Sequence, residues 1–275
     1  VLTISSALPL PTNLSCGSPA NFPWEGDPGG YVWNIDDTSN SYSIPNLYDV
    51  DITLSDPTNQ NVDSGNPGTF SPPGYTQTAG VFGAGVLTWS MTADNSDQIV
   101  TMTIDFSEAS ILNDMTIVDI DSFSFATSFF AQTPGFQSFA QAAEESFQDG
   151  ISVTASFRGD NIPVTLQPGE AGLLKIDGQT VKGSYPFDDP GSALSPSDPR
   201  GHVQMSTTSP IDQLVINYSN GPEDAAIEQV NGGTNGISDD QSIAISLWTF
   251  CEAFPEISCS VWDDDITPNV IRDVG

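Results

Sequence analysis

Alternation with a period of two runs through most of the chain. In QIVTMTIDF, Val100, Met102, Ile104 and Phe106 fall on one side and Thr101, Thr103 and Asp105 on the other, as a strand buried on one face requires. The same reading predicts strands near 31–35 (YVWNI), 42–55 (YSIPNLYDVDITLS), 85–91 (GVLTWSM), 114–120 (DMTIVDI), 151–157, 162–166, 172–176, 202–207, 212–218 and 241–250. Turn clusters separate them, among them DPGG at 27–30, SGNPG at 64–68, SPPG at 71–74, DDPG at 188–191 and NGGTNG at 231–236. Their glycines supply positive φ and their prolines a preset φ. Many short strands joined by Gly/Pro turns predict an all-β fold, a jelly-roll-like β-sandwich.

One stretch breaks the rhythm. Residues 122–149 hold seven of the chain's 15 phenylalanines, including Phe129 and Phe130. Within it Phe136, Phe139, Ala140, Ala143 and Phe147 recur at helical spacing, with Gln141, Glu144 and Glu145 elsewhere on the wheel. This predicts one short amphipathic helix in a Phe-rich insert. Its apolar face either covers a sheet edge or forms an aromatic surface that a partner subunit or a ligand buries.

The ends differ from the middle. Residues 1–11, VLTISSALPLP, are a β-prone apolar segment closed by prolines, with Val1, Leu2, Ile4 and Leu8 as its apolar positions. Residues 256–275 carry Cys259 and the run Asp263, Asp264, Asp265. The expected division is therefore a terminal segment at 1–11, a sandwich domain at 12–255 and an extension at 256–275. A terminal strand without a hairpin partner must still satisfy its backbone groups. It can do so within its own molecule or by inserting into a neighbour's sheet, the donor-strand mode. The assembly residues expected from this pattern are Val1, Leu2, Ile4, Leu8, Phe129, Phe130, Phe136 and Phe139, and the expected partners are copies of the same chain.

Charge narrows the partners further. With 5 Lys+Arg against 36 Asp+Glu, the net charge of the 275 residues is -31. The cations stand singly along the chain, so no basic patch to displace phosphate counterions is expected, and nucleic acid is excluded as a partner. No apolar run approaches the roughly 18 residues of a membrane span. Hydrophobic residues at 37% nonetheless supply a core, which a disordered acidic tail lacks. The chain opens on VLTISS without a basic leader, which reads as a mature exported form after signal-peptide removal. Three cysteines, Cys16, Cys251 and Cys259, fit an extracellular protein with one bridge and one remaining thiol. Cys16–Cys251 would tie the first segment to the last strand; Cys251–Cys259 is the alternative.

The phrases WNIDDTSNSYSIPNLYDVDITLS, IVTMTIDFSEASILNDMTIVDIDS, QLVINYSNGP and DDQSIAISLWTFC resemble a β-sandwich module of bacterial cell-surface and adhesin-like exported proteins. Such modules precede the B-type repeats of serine-aspartate-repeat surface proteins, which open on a Val-Trp-x-Asp phrase similar to Ser260-Val261-Trp262-Asp263-Asp264. The resemblance spans roughly residues 30–265 and implies a surface-exposed sandwich. It departs at ITPNVIRDVG, which stands where an Asn-Gly-Asp-Gly stretch is typical.

Asp outnumbers Glu by 27 to 9, and calcium prefers oxygen ligands of this kind, roughly six to eight of them on loops. Asp119 and Asp121 after one strand, with Asp239 and Asp240 before another, are the expected ligands. The bland alternative is that aspartates cap turns. Trp24, Trp33 and Trp262 could stack on a glycan or meet another surface protein, while Trp89 and Trp248 lie in strand patterns. His202 is the only histidine, no Gly-x-Ser-x-Gly elbow is present, and no cysteine or histidine ligands are closely spaced. Neither a triad hydrolase nor a zinc site is therefore expected, and no enzyme.

Overall fold

A computed structural model describes residues 14–16, 20–22, 38–44, 49–55, 74–76, 86–91, 99–123, 147–171, 173–183, 197–220, 241–245 and 248–255. The first half holds β1 (Leu14–Cys16), β2 (Ala20–Phe22), β3 (Ser39–Ser43), β4 (Asp49–Ser55), β5 (Gly74–Thr76), β6 (Val86–Met91), β7 (Ile99–Val118) and β8 (Ser122–Phe123). It continues with β9 (Phe147–Phe157), β10 (Asp160–Ile162), β11 (Val164–Pro168), β12 (Leu174–Asp177) and β13 (Thr180–Gly183). The last are β14 (Val203–Thr207), β15 (Ile211–Asn220), β16 (Gln241–Ile245) and β17 (Trp248–Pro255). Among the described residues the only helix is the single 3-10 turn Pro199–Gly201. The strands form one large sheet that does not close into a barrel, an all-β arrangement consistent with a sandwich-type fold.

The sheet is organised by β7, whose 20 residues pair with different neighbours along their length. Its first half lies between β4 and β15, and β9 flanks β15. Its second half meets β17, β14 and β16. The inward face of the first region is a row across four strands. Ile104 pairs with Ile52 and Leu214, Leu214 pairs with Ala155, and Met102 pairs with Leu54 and Ile216. All are buried and belong to one core with Met115, Ile117, Val203, Met205, Ile243 and Ile245 of the second region. Burying a large aliphatic side chain contributes roughly 1.5–3 kcal/mol, so this shared core is what holds the two regions together. The outward face carries a hydrogen-bonded polar ladder, in which Thr101 Oγ1 donates to Asn217 Oδ1 at 2.7 Å and Gln213 Nε2 donates to Asp105 Oδ1 at 2.8 Å.

Two irregularities let β7 serve both regions. Between Asp105 and Ser110 its residues bulge opposite Asp212 alone, and Asn113 is extra opposite the Thr249–Phe250 step. Before them the even-numbered residues Val100 to Phe106 point inward; after them Met115 and Ile117 do. Because the side-chain period is two, only such bulges can move the buried set onto the other parity without breaking the strand.

The predicted strands 98–106 and 114–120 are thus parts of one strand. The predicted run 42–55 is two strands, since Pro45 lies between β3 and β4 and has no N–H to extend a ladder. The predicted helix is corrected at its end. Phe147 opens β9 and pairs with Phe123, because the alternation through Asp149, Ile151 and Val153 overrides the helical spacing there. Phe129, Phe130, Phe136 and Phe139 lie outside the described residues, as do 1–11, 256–275 and the predicted strand at 31–35.

Candidate functional site

The inward parity of the second half of β7 runs on past its last residue and delivers two aspartates to the rim of the core. Asp119 takes a left-handed backbone, φ 69°, a conformation aspartate tolerates better than most residues with a Cβ. Ile120 behind it is fully buried, and its N–H donates to the Gly201 carbonyl at 2.9 Å. That carbonyl belongs to the 3-10 turn, which Asp198 caps by accepting from the Arg200 backbone N–H at 3.0 Å. The Arg200 guanidinium also donates to Asp198 at 2.6 Å and holds its carboxyl down, to about 2. A two-residue kink anchored on a charged turn therefore presents Asp119 and then Asp121.

A third carboxylate arrives from β9. The inward series Ala155, Val153, Ile151 ends at Asp149, which is as buried as the residues it follows. Both of its oxygens accept hydrogen bonds: Oδ1 from the Tyr218 hydroxyl at 2.6 Å and Oδ2 from the Asp121 N–H at 3.1 Å. The Asp149 N–H in turn donates to the Asp121 carbonyl at 2.8 Å, so the two aspartates clasp each other through the backbone. Gly183 closes the other side. A Cβ there would collide with the Asp121 carbonyl, and its own carbonyl accepts from Gln148 Nε2 at 2.7 Å.

Electrostatics follow from this packing. Burial, and then the neighbouring Asp121 charge, push the Asp119 carboxyl up to about 8. Burial and the Asp121 charge also raise Asp149 well above the usual carboxylate range, against the lowering effect of its hydrogen bonds. Tyr218 is held well above the ordinary phenol value by burial and then by Asp149, which keeps its hydroxyl a donor. Asp119 Oδ1 is buried and has no hydrogen-bond partner among the described residues. Carboxylates crowded in a dry site keep protons near neutral pH or accept a cation.

The structure thus brings together Asp119 and Asp121 from the expected ligand set, and adds Asp149 and Tyr218, which sequence reasoning missed. Asp149 is the last residue of the Phe-rich stretch 122–149, just before the predicted strand at 151–157; only the parity of Ile151 and Val153, extended backwards, would have flagged it. Asp239, Asp240, Trp24, Trp33 and Trp262 lie outside the described residues. As a calcium site the cluster is incomplete. Both Asp149 oxygens already accept protein donors, and among the described residues no three His, Cys, Asp or Glu side chains are placed to hold a metal ion. Trp89 and Trp248 lie in β6 and β17, as their patterns predicted. Cys251 is buried and disulfide-bonded, and β1 sets Cys16 opposite Ala253 on the neighbouring strand. Among the described residues no helix is long and apolar enough to cross a membrane.

Comparison of the chain with protein-family models, with curated proteins and with solved structures found no match.

Proposed function

We propose that the chain is an extracellular structural protein, a jelly-roll-like subunit of a surface filament or layer in which neighbours exchange a β-strand. The observation that carries this reading is the corner where β1 meets β17. Leu14 pairs with Pro255, the last residue of β17, so the first and the last described residues of the chain stand opposite each other at one corner of the sheet. The apolar residues Val1, Leu2, Ile4 and Leu8 precede that corner in sequence, where insertion into a second copy would satisfy their backbone groups. The disulfide at Cys251 supports an oxidising, extracellular setting, and the charge of -31 would keep subunits soluble before assembly. Negative-stain imaging of the intact chain beside a variant lacking residues 1–11 tests the reading. Filaments or layers that vanish with the deletion are expected; monomers from both would overturn it.

A second reading is an adhesin-type module that binds a glycan or another surface protein in a calcium-dependent way. Asp119 Oδ1, buried beside Asp121 without a hydrogen-bond partner among the described residues, is what favours it. In this reading Asp119 and Asp121 would hold the ion with ligands from outside the described residues, Asp239 and Asp240 being the candidates, and Trp24, Trp33 and Trp262 would face the glycan. Glycan-array binding lost on chelation supports it; an array without hits, alone or with calcium, removes it.

A further inference from the structure

The turn between β9 and β10 sets a cation and a carboxylate on either side of one glycine. Phe157 pairs with Asp160, leaving Arg158 and Gly159 as a two-residue connection with φ of 53° and 86°. Two positive φ values define the type I′ hairpin turn, whose first position normally holds Asn, Asp or Gly. A long side chain there is disfavoured, because its Cβ crowds the backbone in the left-handed region. Arg158 stands there nonetheless, one of only 5 Lys+Arg in the chain. The Asp212 carboxylate fixes its backbone, accepting from the Arg158 N–H at 2.6 Å. The guanidinium lies over the Phe157 ring, 4.9 Å from its centroid. Arg158, Gly159 and Asp160 are all exposed. The Asp160 carboxylate makes no hydrogen bond or ion pair with the described residues.

A strained backbone at an exposed tip, kept in place by specific contacts, points to use. The chemistry of the tip defines what would recognise it. A guanidinium is a planar fork suited to a carboxylate pair, whereas an aspartate on a protein of charge -31 repels any partner that does not present a cation. A protein-bound divalent ion meets that need, since carboxylate oxygen is its preferred ligand. The turn fixes the backbone that carries the two groups before binding, which reduces the entropy cost a free peptide would carry.

We propose that the Arg158-Gly159-Asp160 tip is a recognition element for a cell-adhesion receptor that offers carboxylates to Arg158 and a bound divalent cation to Asp160. The proposal requires only the folded monomer, so it stands apart from strand exchange and from any calcium held by Asp119. The test is attachment of fibroblasts to a surface coated with the full chain, in magnesium and manganese. Attachment should be abolished by soluble Gly-Arg-Gly-Asp-Ser peptide and reduced about tenfold, equivalent to roughly 1.4 kcal/mol, by Asp160→Glu, which keeps the charge but moves the carboxylate by one methylene. Arg158→Asn, which suits the turn better than arginine and therefore folds, should abolish attachment too. Thermal melting of both variants checks that the sheet is intact. Attachment no greater than to an albumin-coated surface, or attachment indifferent to the peptide or to either variant, overturns the proposal.

Discussion

At the scale of single residues, the acidic rim has its proton balance set by position. Asp119 has a carboxyl near 8 in the folded chain against 3.8 when exposed, so between those values the unfolded chain binds fewer protons than the folded one. Stability therefore falls as pH rises from about 4 to about 8 and levels off above, with Asp149 adding in the same direction. Asp198 works the other way. Its lowered carboxyl contributes stability present above about 3.8 and lost as pH falls towards 2. Urea midpoints should therefore be highest in mildly acidic buffer. Asp119→Asn, which keeps a residue tolerant of the left-handed backbone, should flatten the fall and raise stability near pH 8 by on the order of 1 kcal/mol once solvent screening is discounted; an unchanged slope would show that Asp119 ionises freely. Two neighbours give a second prediction. Tyr218→Phe leaves Asp149 Oδ1 without its hydroxyl donor and should cost roughly 1–3 kcal/mol. Gly183→Ala drives a methyl into the Asp121 carbonyl and should cost a similar 1–3 kcal/mol or so, through backbone displacement. Chemical denaturation of the two variants checks both, and wild-type midpoints would mean that the rim relaxes freely.

At the scale of elements, the alternation was legible wherever a strand has one dry face. Val100 to Phe106, Leu214 to Tyr218 and Ile151 to Ala155 face the core on the parity their sequence shows. What was not legible is continuity. Nothing local in Ser107-Glu108-Ala109 says that β7 carries on through a bulge, because the reason lies in strands more than 90 residues away, β15 and β17. The rim was half legible for the same reason. Asp119 and Asp121 follow an obvious strand, but Asp149 shows as buried only through the parity of Ile151 and Val153 extended backwards, and the hydroxyl that partners it, Tyr218, stands 69 positions on. The short strands β1, β2 and β5 have three residues each, too few to show a period. The β1–β17 ladder carries a prediction of its own. Cys16 pairs opposite Ala253, two positions from Cys251 on the same face, so peptide mapping without reduction should recover Cys16 linked to Cys251. Reduction should then cost about 5–6 kcal/mol in the chain-entropy account, the loop spanning most of the chain. A recovered Cys251–Cys259 peptide would refute the pairing and leave β1 held by its ladder alone.

At the scale of the whole molecule, the charge of -31 on 275 residues opposes the compact state that the shared core favours. The outward face of the central strands shows how the opposition is met. Asp51 and Asp105 stand directly across from each other on β4 and β7, a like-charge pair that the Gln213 amide offsets by donating to Asp105. Most of the 36 carboxylates have no cation to pair with, since only 5 Lys+Arg exist, and their repulsion is left to solvent and salt. The screening length falls from about 30 Å at 0.01 M to about 3 Å at 1 M ionic strength, so added sodium chloride should raise the melting temperature, and more so near pH 8 than in mildly acidic buffer, where carboxylates begin to neutralise. This response belongs to the surface and should survive Asp119→Asn. Calcium distinguishes surface screening from a site: at fixed ionic strength and with sodium chloride already at about 1 M, a further rise on adding calcium that disappears in Asp119→Asn would mean an ion held at the rim. A rise with sodium alone would mean that the rim holds protons and that the excess aspartate acts through the field of the whole surface. A melting temperature indifferent to both would mean that the repulsion is already offset by contacts within the fold.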